Sequence, residues 1–386
     1  MTGRQRVLAA LNHTEPDRTP IFEKLIKSPI ADQLLGRPCA ATNFAHQMER
    51  LADGDWEGLQ RQSAVDLIDL AQILGFDMVR LYTNSLPPAP EHRPRRVAPD
   101  TWQFGSAITE ILPSGWLRSR PVSPAPPIPE DEQERQLVAS LEAEPVEPAY
   151  EDRQFLLFRH AKQVMQERGL DLAVFTQVYG IYVSSLPVPV LRWFPEHPER
   201  IHRFYQQRHI PALASCRRLI AEGADIIGLG GDLASDLGPM LSPAHYREFI
   251  MPLIREQADV CHSLGAFCSN ASDGDLWAIA DDFLLGTNVD GFEEIDFAAG
   301  MDLRRLKERY GHRITMIGNI DIRHTLTSGT LAQVRQHTRD CLDAGLGNGG
   351  HVVMSSNCIH EGCRLDLFLE HIRAYRDYWG LGRLEL

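Results

Sequence analysis

The feature that most constrains the fold is the repeated alternation of short apolar runs with amphipathic helical patterns along the 386 residues. Runs of β-branched and aromatic residues bounded by turn residues predict strands. They lie at residues 19–25, 76–82, 172–180, 225–232, 266–270, 289–295, 314–321 and 351–358. Strands that are apolar along their whole length and alternate with helices indicate a parallel sheet covered by helices. Eight such units predict an α/β fold, a (β/α)8 TIM barrel formed by a single domain over residues 1–386, with a doubly wound sheet as the alternative.

The helices between these strands have recognisable ends. Residues 198–223 begin at Pro198, carry apolar residues at three- and four-residue spacing and end at Gly223. Proline suits the first turn of a helix and glycine suits its end, so the pattern predicts one long helix here.

Residues 83–150 interrupt the alternation and predict an insertion after the second strand. Within it, residues 101–122 predict a hairpin that turns at Pro113-Ser114-Gly115, and the proline-rich, acidic residues 123–134 predict a surface loop. In a barrel, an insertion after a strand extends from the face that carries the active site. It therefore either covers that site or forms a peripheral excursion.

Composition narrows the class of partner. A formal net charge of −13 argues against nucleic acid and anionic membranes, both of which require a basic surface. No apolar run is long enough to span a bilayer, and the amino terminus has no signal-peptide pattern, so we expect a cytoplasmic protein. Seven cysteines, an odd number, favour reduced thiols over a disulfide framework. A small molecule is the expected partner.

Polar residues follow each of the eight predicted strands, at the edge where barrel enzymes place their chemistry. The catalytic candidates are Tyr179, Asp232, Asp273 and His360. The candidates for substrate binding are Glu23, Lys24, Arg80, Asn319 and Asn357.

Asp232 is the strongest single candidate. It follows the glycines of "GLGGD", which allow a sharp bend at the strand end, and it precedes a helix start at Ser242-Pro243. Asp273 follows the next strand, where two facing carboxylates would be able to share a proton. The structural alternatives are that Asp232 caps its own loop and that Asp273 only forms the Asp273-Gly274 turn.

Two further candidates have equally ordinary structural explanations. Tyr179 would donate a hydrogen bond to a substrate oxygen, or serve as a structural tyrosine. Asn319 in "GNID" would orient a substrate, or stabilise a turn.

The segment "MSSNCIHEGC" raises the question of a metal, because Cys358, His360 and Cys363 lie within six positions. A catalytic zinc site needs three convergent ligands and a structural one needs four. A second group, Cys261, His262 and Cys268, includes residues at a helix end on the outer, amino-terminal side. We therefore predict no metal cofactor, with Cys358 as a small buried side chain and His360 as a polar group in the barrel mouth.

Several segments in order resemble the uroporphyrinogen decarboxylase superfamily. They are "MTGRQRVLAALNHTEPDRTP", "EGADIIGLGGDLASDLGPMLSPAHYREFIMP", "GNID" and "GNGGHVVMSSNCIH". The resemblance covers the chain apart from about residues 121–150 and implies a (β/α)8 barrel, often dimeric. It also implies one of two activities: decarboxylation of tetrapyrrole side chains without a cofactor, or zinc-dependent methyl transfer between corrinoid proteins and thiols such as coenzyme M.

The chain departs from both patterns. The arginine-rich segment that holds the tetrapyrrole carboxylates is replaced by "FEKLIKSP", and "RLYTN" stands where those enzymes carry an aspartate. The zinc ligands of the methyltransferases fall on Ala271, Asp273 and Asn357, so zinc binding would require Cys268 and Cys358 to substitute by local shifts.

Three functions follow as expectations. The first is a lyase, most simply a decarboxylase, of a small carboxylated molecule other than uroporphyrinogen. In it Lys24 and Arg80 would hold the carboxylate, and Asp232 or His360 would move the proton. The second is methyl transfer with a corrinoid protein as partner. The third is a barrel that binds a small molecule without catalysis. We expect a homodimer in each case.

Overall fold

The computed structural model describes residues 1–124 and 126–384. The predicted loop 123–134 includes residue 125, and the predicted domain 1–386 includes residues 385 and 386, which lie outside the described residues.

Strands occur in three sheets. In chain order the strands are β1 Met78–Arg80, β2 Arg95–Ala98, β3 Thr101–Phe104, β4 Ala107–Ile111, β5 Leu117–Pro121, β6 Ala173–Gln177, β7 Ile226–Gly230, β8 Ala234–Ser235, β9 Gly238–Pro239, β10 Phe267–Ala271, β11 Gly291–Glu293, β12 Thr315–Ile317 and β13 His351–Val352.

Helices form a large part of the remaining chain. They are α1 Gly3–Leu11, α2 Ile30–Leu35, α3 Phe44–Ala52, α4 Trp56–Leu74, α5 Glu130–Ser140, α6 Leu156–Glu167, α7 Val188–Glu196, α8 Pro198–Ala221, α9 Pro243–His245, α10 Met251–Ser263, α11 Leu303–Tyr310, α12 Thr325–Ser328, α13 Leu331–Gly345 and α14 Leu365–Tyr378. Single π-helical turns at Tyr246–Ile250 and Asp282–Gly286 and short 3-10 turns at Pro90–His92, Asp152–Phe155 and Trp277–Ile279 complete them.

The main sheet has seven strands in the order β1, β6, β7, β10, β11, β12 and β13, and every neighbouring pair is parallel. Its strands follow one another in chain order, as repeated β-α units require. Seven of the eight predicted strands are therefore present; β10 has the length of its predicted run but lies one residue later, and the others are shorter than their runs. The long predicted helix is present as α8, two residues shorter than expected at its end.

The first predicted strand, 19–25, is reduced to isolated bridges from Ile21 to Val353 and from Ile26 to Ile359. Asp77 N–H donates to the Ile21 carbonyl at 2.9 Å, so the segment lies between β13 and the start of β1. The N–H of Ile21 donates to the Asp77 carboxylate at 2.9 Å. A side chain thus takes the backbone donor of Ile21, and the pairing of this segment with β13 consists of isolated bridges.

The amino edge of the sheet is covered by α1. Arg4 pairs with Asp225, before β7, at 2.8 Å, and Arg6 pairs with Asp77, before β1, at 2.6 Å. Val7, Ala10 and Leu11 pack with Phe175, Ile226 and Met354 in a small buried cluster on one face of the sheet. The opposite, carboxyl edge is left for loops.

The segment between β1 and β6 contains an antiparallel sheet of β2, β3, β4 and β5. Strands β4 and β5 pair on either side of Pro113-Ser114-Gly115, where the sequence predicts the hairpin. The prediction of a loop over 123–134 is wrong from Glu130 onward, because α5 begins there. Pro129 precedes this helix and Glu130, Asp131 and Glu132 occupy its first turn, which favours helix initiation.

None of the helices in the described ranges is both long enough and apolar enough to cross a bilayer.

Candidate active site

Acidic side chains gather at the carboxyl edge of the parallel sheet in two groupings. One is a buried lysine cluster formed by Lys24, Glu293 and Glu294. The other lines an open cavity beside Asp273, which we call the Asp273 cavity.

The buried lysine cluster is a compact ion-pair group. Lys24 Nζ lies 2.6 Å from Glu294 Oε1 and 3.1 Å from Glu293 Oε2, and the side chains of Lys24 and Glu293 are only 4% and 1% exposed. Burial opposes the charge of Lys24, yet the two carboxylates together raise its pKa. Burial and the charge of Glu294 raise the pKa of Glu293, which also accepts a hydrogen bond from the Ser269 hydroxyl at 2.8 Å. The positive charge of Lys24 is therefore balanced by neighbouring carboxylates inside the protein.

Backbone geometry explains why two consecutive glutamates reach the same lysine. Consecutive strand residues point to opposite faces. Glu294 follows β11 with φ at +63°, and this left-handed turn redirects its side chain. Gly228 on β7 leaves the necessary space, because a Cβ there would lie 2.6 Å from Glu293 Oε1.

Glu23 forms a second buried acid beside this cluster. Ser355 donates its N–H to Glu23 Oε1 at 3.1 Å, and the Ser355 hydroxyl lies 2.5 Å from Glu23 Oε2. That hydroxyl also contacts the carbonyl of Asn357. A hydroxyl has one proton, so both contacts are satisfied together when Glu23 is protonated and donates to Ser355 Oγ. This agrees with burial, which raises the pKa of Glu23 to about 8.

The Asp273 cavity has a volume of about 380 Å³. Its wall includes Asp273, Asn357 and Cys358 from the sheet edge, Arg323 from the loop after β12, and His360. Trp116, from the turn of the β4–β5 hairpin, also lines it. The antiparallel sheet thus contributes one wall of a cavity whose other walls come from the main sheet.

Asp273 is one of three acids that line this cavity, with Asp236 and Asp296. Its Oδ2 accepts a hydrogen bond from Asn357 Nδ2 at 2.8 Å. Burial first, and then the negative charges of Glu294, Asp232 and Asp296, raise the pKa of Asp273 to about 8. A carboxyl group of this pKa is mostly protonated at pH 7 and can both give and take a proton near that pH.

The Asp273-Gly274 turn is also structurally required. Gly274 has φ of +88°, and a Cβ at this position would lie 2.7 Å from the carbonyl carbon of Ala234. The structural explanation of this turn and a chemical role for Asp273 are therefore compatible.

Two of the remaining cavity groups, His360 and Cys358, have pKa values shifted in the direction that favours the neutral form at pH 7. Burial and the nearby Lys27 lower the pKa of His360, whose Nδ1 accepts the Gly362 N–H at 2.9 Å. Burial raises the pKa of the Cys358 thiol. Arg323 is positive and contacts Asp236 at 2.6 Å and Asp296 at 3.0 Å. The cavity therefore combines a neutral thiol and imidazole with acidic side chains and with the basic side chains of Arg323 and Lys27.

An aromatic and a cationic side chain meet at the rim. The Trp116 ring lies 5.5 Å from the His360 ring, and Lys27 Nζ lies 5.6 Å from the centre of the Trp116 ring. Lys27 offers an anionic ligand a positive charge. Trp116 offers a flat ligand a planar aromatic surface.

The structure brings together only some of the residues predicted from sequence. Asp273, Asn357 and His360 line one cavity, and Glu23 and Lys24 lie buried close to it. Asp232 is exposed and accepts a hydrogen bond from Ser184 Oγ at 3.3 Å.

The other three predicted residues lie apart from the Asp273 cavity. Arg80 Nη2 donates to the Tyr179 hydroxyl at 3.0 Å, and the Tyr179 side chain is 60% exposed. Asn319 is buried and donates through Nδ2 to the Met301 carbonyl at 3.0 Å.

Sequence reasoning did not single out Arg323, Trp116 or Asp296, although Asp236 was among the polar residues expected after the predicted strands. Arg323 lies two residues after the "GNID" strand end, so its position in the loop beyond β12 was a usable signal. Trp116 had no such signal, because its place at the cavity depends on how the hairpin folds back.

The residues at the positions that the resemblance assigns to zinc do not fit this metal. Ala271 offers only a methyl group, and Asn357 uses its amide to donate to Asp273 and to accept the Cys358 N–H. In the described ranges, no convergent group of three histidine, cysteine or acidic ligands includes Asp273, Cys358 or His360. No step through zinc is therefore assigned to this cavity.

The fold and the cavity define a class: an α/β protein with an acid-rich cavity at the carboxyl edge of a parallel sheet. Residues 175–378 match the family described as uroporphyrinogen decarboxylase (URO-D), and the chain belongs to that family. The family predicted from the motifs is confirmed.

Two relatives from Methanosarcina mazei are similar to this chain. One is a methylated-thiol–coenzyme M methyltransferase, 25% identical over 186 residues that cover 48% of this chain and 45% of the relative. The chain thus aligns with less than half of that relative's length. The other is a solved methyltransferase structure with 16% identity and a TM-score of 0.66, covering 98% of this chain and 99% of the other. The second likeness extends the common fold over almost the whole chain.

Proposed function

We propose that this protein transfers a methyl group between a methylcorrinoid, carried by a partner protein, and a small acceptor bound in the Asp273 cavity. The observation that carries the proposal is the similarity to a methylated-thiol–coenzyme M methyltransferase over 186 residues. That similarity favours the second expected function over the first, the lyase.

The residues of the cavity suit such a transfer. When a methyl group passes to a thiol, an S–C bond forms, the cobalt–carbon bond breaks with its electron pair left on cobalt, and the thiol proton is released. Asp273, with a pKa of about 8, is suited to take or return that proton, and Asn357 orients it. Lys27 lines the cavity and is placed to attract an anionic acceptor, and Trp116 excludes water from one side.

The direct test uses free methylcobalamin as donor and 2-mercaptoethanesulfonate and other small thiols as acceptors, without oxygen. We expect the methylcobalamin absorbance to decline as an S-methyl product accumulates. In the Asp273→Asn variant, we expect the rate of methylcobalamin loss and the rate of product formation to decrease together. No product with any thiol, while the protein is folded, contradicts the proposal for thiol acceptors.

A lyase acting on a small carboxylated molecule is the second candidate, favoured by the two acids of pKa about 8, Glu23 and Asp273. A protonated carboxyl group can deliver a proton to the carbon that loses carbon dioxide. The expected role of Lys24 fits less well, because Glu293 and Glu294 already occupy its ammonium group. Release of carbon dioxide from a panel of small carboxylic acids, lost in Asp273→Asn, would favour this candidate over methyl transfer.

We further infer that residues 20–26 complete the main sheet as an eighth strand and close it into a (β/α)8 barrel. The hydrogen bonds from Phe22 to Val353 at 3.0 Å and from Asp77 to Ile21 at 2.9 Å support this closure. Hydrogen exchange at the Phe22 and Asp77 amides as slow as in β6 is the expected result.

The homodimer and the cytoplasmic location stay predictions. Light scattering would test the first, and localisation of the tagged protein would test the second.

A further inference from the structure

We propose that His262, Cys268 and Asp290 form a binding site for a divalent transition metal, best suited to zinc, at the amino edge of the sheet. These residues lie at the opposite end of the strands from the Asp273 cavity. The site is therefore separate from the proposed methyl transfer, and the two proposals are tested independently.

Three chain segments supply the ligands. His262 lies in the last turn of α10, Cys268 is the second residue of β10, and Asp290 immediately precedes β11. His262 Nε2 lies 2.8 Å from Asp290 Oδ2 and 3.9 Å from Cys268 Sγ, and Cys268 Sγ lies 3.7 Å from Asp290 Oδ2. Among the described residues, this is the only group of three or more such side chains with all ligand atoms within 4.8 Å of one another.

The separations are close to those of an occupied site. Tetrahedral zinc with bonds of about 2.0–2.1 Å to nitrogen, 2.0–2.2 Å to oxygen and 2.3 Å to sulfur places neighbouring ligand atoms roughly 3.4–3.6 Å apart. The two distances to sulfur exceed this range by a few tenths of an ångström. The distance from His262 to Asp290 must open by roughly half an ångström. Small side-chain rotations provide both changes.

Charge and access also suit a cation. A thiolate and a carboxylate supply two negative charges, which a divalent ion balances. Asp290 and Cys268 are largely buried, whereas the His262 side chain is 32% exposed and leaves a path from solvent. Zinc binds the thiolate form of cysteine, so the ion displaces the thiol proton of Cys268 on binding.

Three protein ligands leave one coordination position for water, as in open zinc sites. The ion would cross-link the end of α10 to β10 and β11, so we expect it to stabilise the fold. This assignment revises the expectation of no metal, at a place remote from Ala271, Asp273 and Asn357.

The test uses Co²⁺ as the probe, added to the whole protein after treatment with a chelator and a thiol reductant. We expect one Co²⁺ per chain, an absorption band from sulfur-to-cobalt charge transfer, and displacement of the band by Zn²⁺. The band is expected to disappear in Cys268→Ser. In His262→Gln, the apparent affinity for Co²⁺, measured by titration of the band, is expected to fall at least tenfold. His262 is partly exposed, so its variant is expected to fold even if the buried Cys268 variant does not.

Matched controls separate this site from other thiols and histidines. Cys341 is buried with His351 Nε2 at 3.9 Å from its sulfur, and His202 is an exposed histidine on α8, so Cys341→Ser and His202→Gln are expected to keep the band. Zn²⁺ is expected to raise the Tm of the unaltered protein but not of His262→Gln. The proposal is overturned if no Co²⁺ binds in stoichiometric amount. It is also overturned if the band survives His262→Gln at full affinity or is lost in Cys341→Ser.

Discussion

The buried lysine cluster and the Asp273 cavity both place carboxyl groups at the same edge of the sheet, but the negative charge of these groups is balanced differently in the two places. In the cluster, Lys24 lies inside the protein between Glu293 and Glu294, so its charge is balanced internally. In the cavity, Asp273 receives only an amide hydrogen bond from Asn357 while three acids repel its charge. A paired acid contributes to the fold, whereas an unpaired acid with a raised pKa is available for chemistry.

The largest expected effect is on activity. Asp273→Asn keeps an oxygen to accept the Asn357 amide hydrogen bond but removes the ionisable group, so we expect turnover to fall by roughly 10²- to 10⁴-fold. The rate of methyl transfer or of carbon dioxide release, whichever the protein catalyses, is the measurement. Asp236→Asn is the matched control, because Asp236 lines the same cavity but is paired with Arg323. A similar loss in both variants would show that Asp273 has no special role.

The second effect is on stability. Lys24→Met removes the cation and leaves Glu293 and Glu294 buried without it, so we expect the free energy of unfolding to fall by roughly 3–5 kcal/mol. Urea unfolding measures it. Lys27→Met, a change of a more exposed lysine in the same segment, is expected to cost less than about 0.5 kcal/mol. Adding Glu293→Gln to Lys24→Met should recover part of the loss, and a cost below about 1 kcal/mol for Lys24→Met would contradict the internal pairing.

The third effect is a pH dependence of stability. Asp273 has a pKa of about 8 in the folded protein and near 3.8 when unfolded, so between these values the folded state binds more protons. Its contribution to stability is present at low pH and is lost as the pH rises toward 8. Unfolding free energies at pH 5, 6 and 7 should therefore decline less steeply in Asp273→Asn, by at most about 1.4 kcal/mol per pH unit. An unchanged slope would mean that Asp273 is ionised in the folded protein.

The smallest effect concerns Glu23. Glu23→Gln can still accept the Ser355 N–H and donate to Ser355 Oγ, so at pH 7 we expect a cost below about 1 kcal/mol. Glu23→Ala leaves these groups without partners and is expected to cost roughly 1–3 kcal/mol. Equal costs in chemical unfolding would contradict the proposed donation from Glu23 to Ser355 Oγ.

The sequence by itself determined the class of the fold and the family. Apolar runs of strand length alternating with helical patterns predicted seven of the observed parallel strands, because burial on both faces requires apolar residues throughout. The remaining run, 19–25, contains the same residue types but forms only isolated bridges, and the N–H of Ile21 is bonded to the Asp77 carboxylate, 56 positions away. That hydrogen bond depends on a distant residue, so a local pattern does not reveal it.

The sequence also placed polar candidates after each strand, but only the tertiary structure decided which of them meet. Asp273 and Asn357 are 84 positions apart and share a hydrogen bond, whereas Asn319 binds the Met301 carbonyl instead. The raised pKa of Asp273 comes from burial and from Glu294, Asp232 and Asp296, which approach only in the folded chain. Burial and electrostatic interactions depend on distances through space, and the order of residues along the chain does not specify those distances.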